Sequence, residues 1–287
     1  MGDPSKDKVN KFPHFLFYQL SSGNWRAYKK NKMKIFRFIG TALLAVVMCV
    51  NFTSCGEESF GKGNGDGDII ENEGSISKKL TKITSEDEGD LIFKYDNEGH
   101  LATATSIYTY DNGVDIETET SVYEFVWGDD AIRVKGDYEN YTLTLSNGLV
   151  QSGDDKTYSY NNSNRFVKGV SEYSTTTVIW NGDKMVNFVE KDNDEQYGDN
   201  WEVSLTYGET CKKGYMPMIP YFLDFGCAVL YMAHPEIVGM RTNQLPTTYK
   251  TENGTISMTY TLDKEGYVSE MAAKRGSESM IYKFTWE

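Results

Sequence analysis

From Leu80 onward, apolar residues fall at every second position, the period of a strand with one dry face. Tyr123, Phe125 and Trp127 share one face, as do Leu91, Phe93 and Tyr95, then Val203, Leu205 and Tyr207. Met258, Tyr260 and Leu262, and finally Tyr282, Phe284 and Trp286, repeat the pattern. The positions between them are mostly Thr, Ser, Lys and Glu, and the β-branched and aromatic content suits a pleated, half-buried surface. Turns separate these runs. Tyr95-Asp96-Asn97-Glu98-Gly99-His100-Leu101 is an aromatic strand end, a Gly-containing turn and a new strand. Similar phrases return at Leu145–Leu149, Trp180–Met185 and Leu262–Val268, with a version lacking Gly at Tyr160–Phe166. Gly and Asn accept the positive φ that tight hairpins require. The copies are irregularly spaced, which predicts an antiparallel meander of variable strand length over 79–287 and not a fixed-repeat solenoid.

Two segments break the alternation. Residues 216–245 contain a continuous apolar run from Pro220 to Ala233, followed by His234-Pro235. Pro suits the first turn of a helix, and a residue preceding Pro resists the α region, so a short helical insertion is expected here. It is too short to cross a bilayer, and its expected role is to cover an apolar face or one end of the sheet. The other break lies near the start. Lys34 and Arg37 precede an apolar run from Phe38 to Val50, which closes on Phe52-Thr53-Ser54-Cys55. A basic start, a short apolar core and a small-residue site ending in Cys reads as a bacterial lipoprotein signal, with Cys55 as the lipidated residue. Met33-Lys34-Ile35-Phe36-Arg37 is already a complete signal start, so residues 1–32 read as an upstream extension. Residues 1–54 are therefore set aside as extension and signal. The Gly-, Asp-, Glu- and Ser-rich stretch 55–78 is a flexible acidic tether.

Charge narrows the partners. Residues 1–54 hold nine of the 29 basic and two of the 42 acidic residues, so the remainder keeps 20 against 40, a net charge of −20. So acidic a domain repels phosphate backbones and anionic lipid surfaces, which excludes nucleic acid and leaves the lipid anchor as the only membrane contact. Three cysteines follow the signal: Cys55, Cys211 and Cys227. With Cys55 lipidated, Cys211 and Cys227 remain as one pair. An envelope compartment permits a bridge between them, and two separate buried thiols are the alternative.

Several features together resemble a known group: the signal, the acidic tether, the Phe93–Leu101 phrase, and the Pro-interrupted apolar segment followed by Gly239-Met240-Arg241-Thr242-Asn243-Gln244-Leu245-Pro246. They are similar to uncharacterised Bacteroides-type lipoproteins described as a domain of unknown function with a porin-like fold. The resemblance covers roughly Leu80 to Glu287. It implies an all-β fold, a curled antiparallel β-meander approaching a barrel. It carries over no activity and no catalytic residue. In such bacteria, acidic residues after the lipidated Cys, here Glu57 and Glu58, resemble a signal for export to the cell surface, so an outer-membrane, surface-facing lipoprotein is expected.

Candidate chemistry is sparse. Asn64-Gly65-Asp66-Gly67-Asp68 evokes a calcium loop but places Ile69 and Ser75 where the EF-hand needs Gly and Glu. Asp192-Asn193-Asp194-Glu195 lacks the Gly and spacing of a built cation site, so no metal and no cofactor is expected. His100 falls in a turn and His234 at a helix end, and neither pairs convincingly with a nucleophile. The carboxylates Asp111, Asp129, Asp130, Asp154, Asp155, Asp192, Asp194 and Glu195 read as solvated turns. Aromatics make up 14% of the chain; most fill a curled sheet, while Tyr138, Tyr173 and Tyr197 near loops are candidates for sugar stacking. The expected function is non-enzymatic binding of a glycan or protein partner by a surface-tethered module. Two alternatives stand beside it. A carboxylate-dependent hydrolase requires two facing, buried Asp/Glu side chains. An outer-membrane barrel requires an outward apolar band.

Overall fold

Each of these alternating runs is a strand in the computed structural model, which describes residues 78–287 except 86–88, 112–114, 137–139, 154–155, 194–200, 218–224 and 252–253. The signal segment, Cys55 and all of the tether but Lys78 lie outside the described residues. In chain order the strands are β1 (Leu80–Ser85), β2 (Gly89–Tyr95), β3 (Leu101–Asp111), β4 (Ile116–Trp127), β5 (Ala131–Lys135), β6 (Asn140–Ser146), β7 (Leu149–Gly153) and β8 (Lys156–Tyr160). They continue as β9 (Phe166–Val170), β10 (Ser174–Asn181), β11 (Lys184–Asp192), β12 (Trp201–Thr210), β13 (Gln244–Thr251), β14 (Gly254–Leu262), β15 (Val268–Arg275) and β16 (Glu278–Trp286). Each pairs with its chain neighbours, and β16 pairs antiparallel with β1, so the meander closes into one 16-stranded barrel. Closure removes the free edges that an open curled sheet would carry.

The two faces of the wall are sharply divided. Met280, Tyr282, Phe284 and Trp286 of β16 are buried inside, while Ser279, Ile281, Lys283 and Thr285 between them are exposed outside. The same division runs along β10, where Thr176 and Val178 are buried and Thr175, Thr177 and Ile179 are not. On β4 the inward side chains grade from buried Phe125 through half-buried Tyr123 to exposed Glu119 and Glu117. The inside is thus apolar through most of its height and turns polar towards one rim.

The opposite rim is closed by the insertion. A helix, α1 (Phe225–Ala233), is followed by a 3-10 turn at Pro235–Val238. The expected start at Pro220 falls within residues 218–224, which lie outside the described residues. Residues 228–233 are all buried, as an apolar helix without a polar face must be. Tyr215 donates to the carbonyls of Met232 and Ala233, both at 2.9 Å, and packs edge-on against Trp286 at 5.2 Å. His234 accepts at Nε2 from the Leu101 amide at 3.1 Å and meets Glu236 through Nδ1 at 2.8 Å. Trp127 and Tyr95 stand edge-on to its ring, and Trp127 stacks on His100 at 4.5 Å. Gly239 adopts φ 61°, and a Cβ there would lie 2.1 Å from the Asn164 carbonyl oxygen, so the turn after the helix presses directly on the β8–β9 hairpin.

A repeated device builds this helix-bearing rim. Seven of the eight strands that run towards it carry an inward Tyr or Trp whose polar tip donates to a carbonyl near the start of the preceding strand. Tyr95 reaches Leu80 (2.7 Å), Trp127 reaches Leu101 (2.9 Å), Tyr160 reaches Val150, and Trp180 reaches Phe166 (2.7 Å). Tyr207 reaches Met185 (2.8 Å), Tyr260 reaches Pro246 (2.7 Å), and Trp286 reaches Val268 (2.7 Å). The exception is β6, where Leu145 occupies the place. Register shifts fall directly before Tyr95, Tyr160, Trp180 and Tyr207. A bulge twists the strand and re-aims the next side chain, which carries the aromatic over the rim. Burial pushes the Tyr95, Tyr160 and Tyr207 hydroxyls well above the ordinary tyrosine range, with the Glu236 charge adding to the effect at Tyr95.

The turns at this rim explain the repeated phrase. Asp96 Oδ1 accepts from the amides of Glu98 and His100, both at 2.9 Å. Asp263 Oδ1 accepts from Glu265, Gly266 and Tyr267, and Asn161 Oδ1 from Ser163 and Arg165. The left-handed position is filled by Gly99, by Gly266 and, in the copy without Gly, by Asn164 at φ 57°. Asn is the side chain that most readily takes that conformation.

Candidate functional site at the far rim

Where the alternation brings polar side chains inside, it does so near the rim opposite α1. Strand register fixes one row. Tyr158 on β8 is opposite Gly169 on β9, Gly169 is opposite Thr176 on β10, Thr176 is opposite Glu190 on β11, and Glu190 is opposite Trp201 on β12. Adjacent strands lie about 4.8 Å apart, so the row spans about 19 Å between its aromatic ends. Lys156, the first residue of β8, joins it from the rim. It shares the inner face with Tyr158 and is only 7% exposed. Its stem lies over Gly169: a Cβ on that glycine would sit 3.5 Å from Lys156 Cδ and 3.3 Å from Phe166 Cζ. A glycine here leaves room for the lysine stem and the Phe166 ring over β9.

The polar groups of the row are unevenly satisfied. Glu190 is half-buried and accepts from the Ser174 hydroxyl at 2.9 Å. Trp201 is half-buried and packs edge-on against Phe188 at 5.4 Å. Thr176 is fully buried, and its hydroxyl has no hydrogen-bond partner. The stem of Lys156 is buried, but its ammonium is not among the buried polar atoms that lack a partner. A buried hydroxyl normally finds a partner, which makes Thr176 the exception in the row. Sequence reasoning missed this row. Each member is one unremarkable residue on a different strand, and only the register assembles them.

The residues that sequence did single out are dispersed. Tyr173 lies at the same rim and is 64% exposed, while Tyr138 and Tyr197 lie outside the described residues. Asp129 and Asp130 are exposed in the β4–β5 turn at the helix rim, and Asp192 is half-buried at the end of β11. Asp154, Asp155, Asp194 and Glu195, like the side chain of Asp111, lie outside the described residues. Among the described residues no Asp or Glu is buried, so the facing pair a glycosidase needs is not formed there. No cluster of three metal-ligating side chains occurs among them either. Cys211 is a free, buried thiol that donates to the Asn243 carbonyl at 3.4 Å, and burial pushes its pKa up to about 11. The side chain of Cys227 lies outside the described residues. His234 is held between a backbone amide and Glu236, so it latches the helix instead of facing a substrate.

No protein-family model matches the chain, and no curated relative does so significantly. Solved structures do. A porin-like protein from Bacteroides uniformis superposes with a TM-score of 0.56 at 17% identity, covering 74% of this chain and 98% of that one. The fold is porin-like. A second porin-like protein, from Bacteroides vulgatus, covers 74% of this chain and 99% of its own at 10% identity, with a TM-score of 0.36. The porin-like barrel agrees with the fold implied by the sequence resemblance. Its polarity is a separate matter. A lipid-facing barrel carries an apolar belt outside. Here the outward positions of β14 are Thr255, Ser257, Thr259 and Thr261, and those of β5 include Arg133 and Lys135. These strands present a polar outer wall, while β4, β10 and β16 place the exposed Val126, Ile179 and Ile281 on it.

Proposed function

We infer that the protein is a non-catalytic binding module of the bacterial cell envelope, held by a lipid on Cys55 and displaying the far rim of its barrel to a glycan. The observation that carries this reading is the Tyr158–Trp201 row, in which two aromatic faces flank hydroxyl, carboxylate and ammonium groups on one inner wall. Aromatic faces stack on the apolar faces of sugar rings, and the polar groups between them suit hydroxyl-rich ligands.

The chain path supports the orientation. Lys79 and Glu287 exchange backbone hydrogen bonds at the helix rim, so the tether enters the barrel there. Lys78 meets Glu265 at 2.8 Å and fixes that entry point. An entry at this rim suits anchoring from the α1 end, with the polar row at the other end of the barrel. The tether and domain, together of net charge −20, keep the barrel clear of anionic lipid.

The test is a glycan array probed with the mature protein, followed by calorimetry on any hit with Trp201→Ala. Saccharide binding that Trp201→Ala weakens supports the reading. No saccharide binding, together with a specific protein partner captured through the same rim, replaces the glycan with a protein ligand.

A further inference from the structure

We propose that the β3–β4 hairpin is a docking edge for a partner protein, which adds an extended segment with Lys or Arg at alternate positions alongside Ile116, Thr118 and Thr120. The proposal is independent of the glycan reading, because it uses the backbone of β4 and not the inner row.

Closure of the barrel leaves this stretch with a strand on one side only. β3 pairs with β4 all the way from Asp111 opposite Ile116 to Thr103 opposite Glu124. β5 pairs with it only over Glu124–Trp127. Lys135 is opposite both Glu124 and Asn140, so β5 turns back into β6 at that level through residues 136–139. A connection of that length rises at most about 9 Å before it must return. Thr120 lies four residues beyond Glu124, about 14 Å along the strand, out of its reach.

The hydrogen-bond alternation says which groups face the open side. Gly128 donates to the Ala131 carbonyl at 2.9 Å and continues the β4–β5 ladder. Bonds to one side of an antiparallel strand recur at every second residue, and no register shift interrupts β4 against either neighbour. The amides and carbonyls of Ile116, Thr118 and Thr120 therefore face away from β3, while those of Glu117 and Glu119 face it. Exposed edges are ordinarily blunted by Lys, Pro or a bulge, and Ile116–Tyr123 contains none of them. The Thr109 and Thr118 hydroxyls instead brace the hairpin at 3.0 Å.

The side chains select the occupant. Ile116 is 76% exposed on the outer face beside Thr118 and Thr120, and the other face carries exposed Glu117 and Glu119. A second β4 pairing antiparallel here would set these glutamates against one another, and the protein's own tether is acidic as well. A foreign strand with basic residues against Glu117 and Glu119 and β-branched residues beside Ile116 matches both faces, and its main chain completes the ladder.

The experiment selects nine-residue peptides from a random display library on purified full-length protein, then measures the synthesised winners by calorimetry and amide hydrogen exchange. The winners should alternate Lys or Arg with Val, Ile or Thr. Binding should slow exchange at Ile116, Thr118 and Thr120 about tenfold or more and leave Glu117 and Glu119, already bonded to β3, unchanged. Thr120→Pro removes a donor from the open side without touching the β3 ladder, and should weaken binding about tenfold or more. Glu117→Lys combined with Glu119→Lys keeps every backbone donor and should turn the selection towards Asp- and Glu-bearing peptides, which carries the test should the proline disturb the strand. Winners without alternating basic residues, or winners that leave exchange at Thr118 and Thr120 unchanged, overturn the proposal. A dimer in analytical ultracentrifugation that Thr120→Pro dissociates puts a second copy on this edge and overturns the foreign partner.

Discussion

Trp127 tests the register of the barrel more sharply than any other side chain. It ends β4, points inward, donates Nε1 to the Leu101 carbonyl at 2.9 Å, stacks on His100 at 4.5 Å and stands edge-on to His234 at 5.2 Å. It therefore couples three parts of the fold: the β3 entry, the Asp96 turn and the end of α1. Truncating a buried Trp to Ala costs about 3–5 kcal/mol, and a half-buried one falls near the lower end. The orphaned Leu101 carbonyl adds about 1 kcal/mol. The expected loss for Trp127→Ala is thus about 3–4 kcal/mol, or about 10 °C in melting temperature for a domain of this size.

Two companion substitutions separate the contributions. Trp127→Phe keeps an aromatic ring over His100 and removes only the donor, and should cost about 1–2 kcal/mol. Val126→Ser changes the neighbouring residue, which is 57% exposed on the outer wall, and should cost less than about 0.5 kcal/mol. Urea unfolding of all three, read by far-ultraviolet circular dichroism, gives the comparison. If Trp127→Ala costs under about 0.5 kcal/mol, or Val126→Ser costs as much as Trp127→Ala, the inward register of β4 is wrong and the row built on the same alternation falls with it.

Four further outcomes follow from other parts of the molecule. Cys55→Ser should abolish incorporation of labelled palmitate and release the protein from membranes. Gly239→Ala should destabilise by about 2 kcal/mol or more in the same urea assay, because it strains a left-handed position and drives a methyl into the Asn164 carbonyl. Cys211 should resist alkylation at pH 8 in the native protein, since burial holds it protonated, and react at once in denaturant without reductant. Stability should be flat with pH up to about 9 and then fall. The unfolded chain releases its Cys and Tyr protons from about pH 9 to 10, whereas the folded Cys211, Tyr95, Tyr160, Tyr207 and Tyr215 release theirs only at higher pH, so alkali favours unfolding. A spectrophotometric tyrosine titration with no delayed class would contradict that last expectation.

The strands were legible because their signal is local. Tyr282, Phe284 and Trp286 alternate with Lys283 and Thr285, and no tertiary information is needed to assign them a buried face. The turn phrase was legible for the same reason, and even its Gly-free copy works as expected once Asn164 takes the left-handed place. Closure was not. Whether β16 returns to β1 depends on accumulated twist and on bulges before residues such as Tyr95 and Trp180, and neither has a distinctive residue pattern. The expected helical insertion is present at Phe225–Ala233, and the expected start at Pro220 lies outside the described residues. The candidate site was invisible for a related reason. Lys156, Gly169, Thr176, Glu190 and Trp201 come from five strands, and their adjacency is a property of register alone.

A porin-like strand plan combined with an apolar interior has a consequence for how such a barrel can work. In a membrane barrel the lipid selects an apolar exterior, and the interior is left polar for solute passage. Here the apolar residues turn inward, and the barrel gains a core. That core then needs a lid at whichever end is exposed. The chain supplies one by inserting 211–243 between β12 and β13 and locking it through Tyr215, His234 and Gly239. Towards the far rim the inward residues change from Phe and Met to Lys, Thr and Glu. The chain enters the barrel at the helix rim, so the proposed anchoring and binding would fall at opposite ends of one barrel. This division predicts that lengthening the tether leaves intrinsic affinity unchanged and alters only the reach of the rim. Moving the tether to a far-rim loop by circular permutation should obstruct binding while preserving the fold.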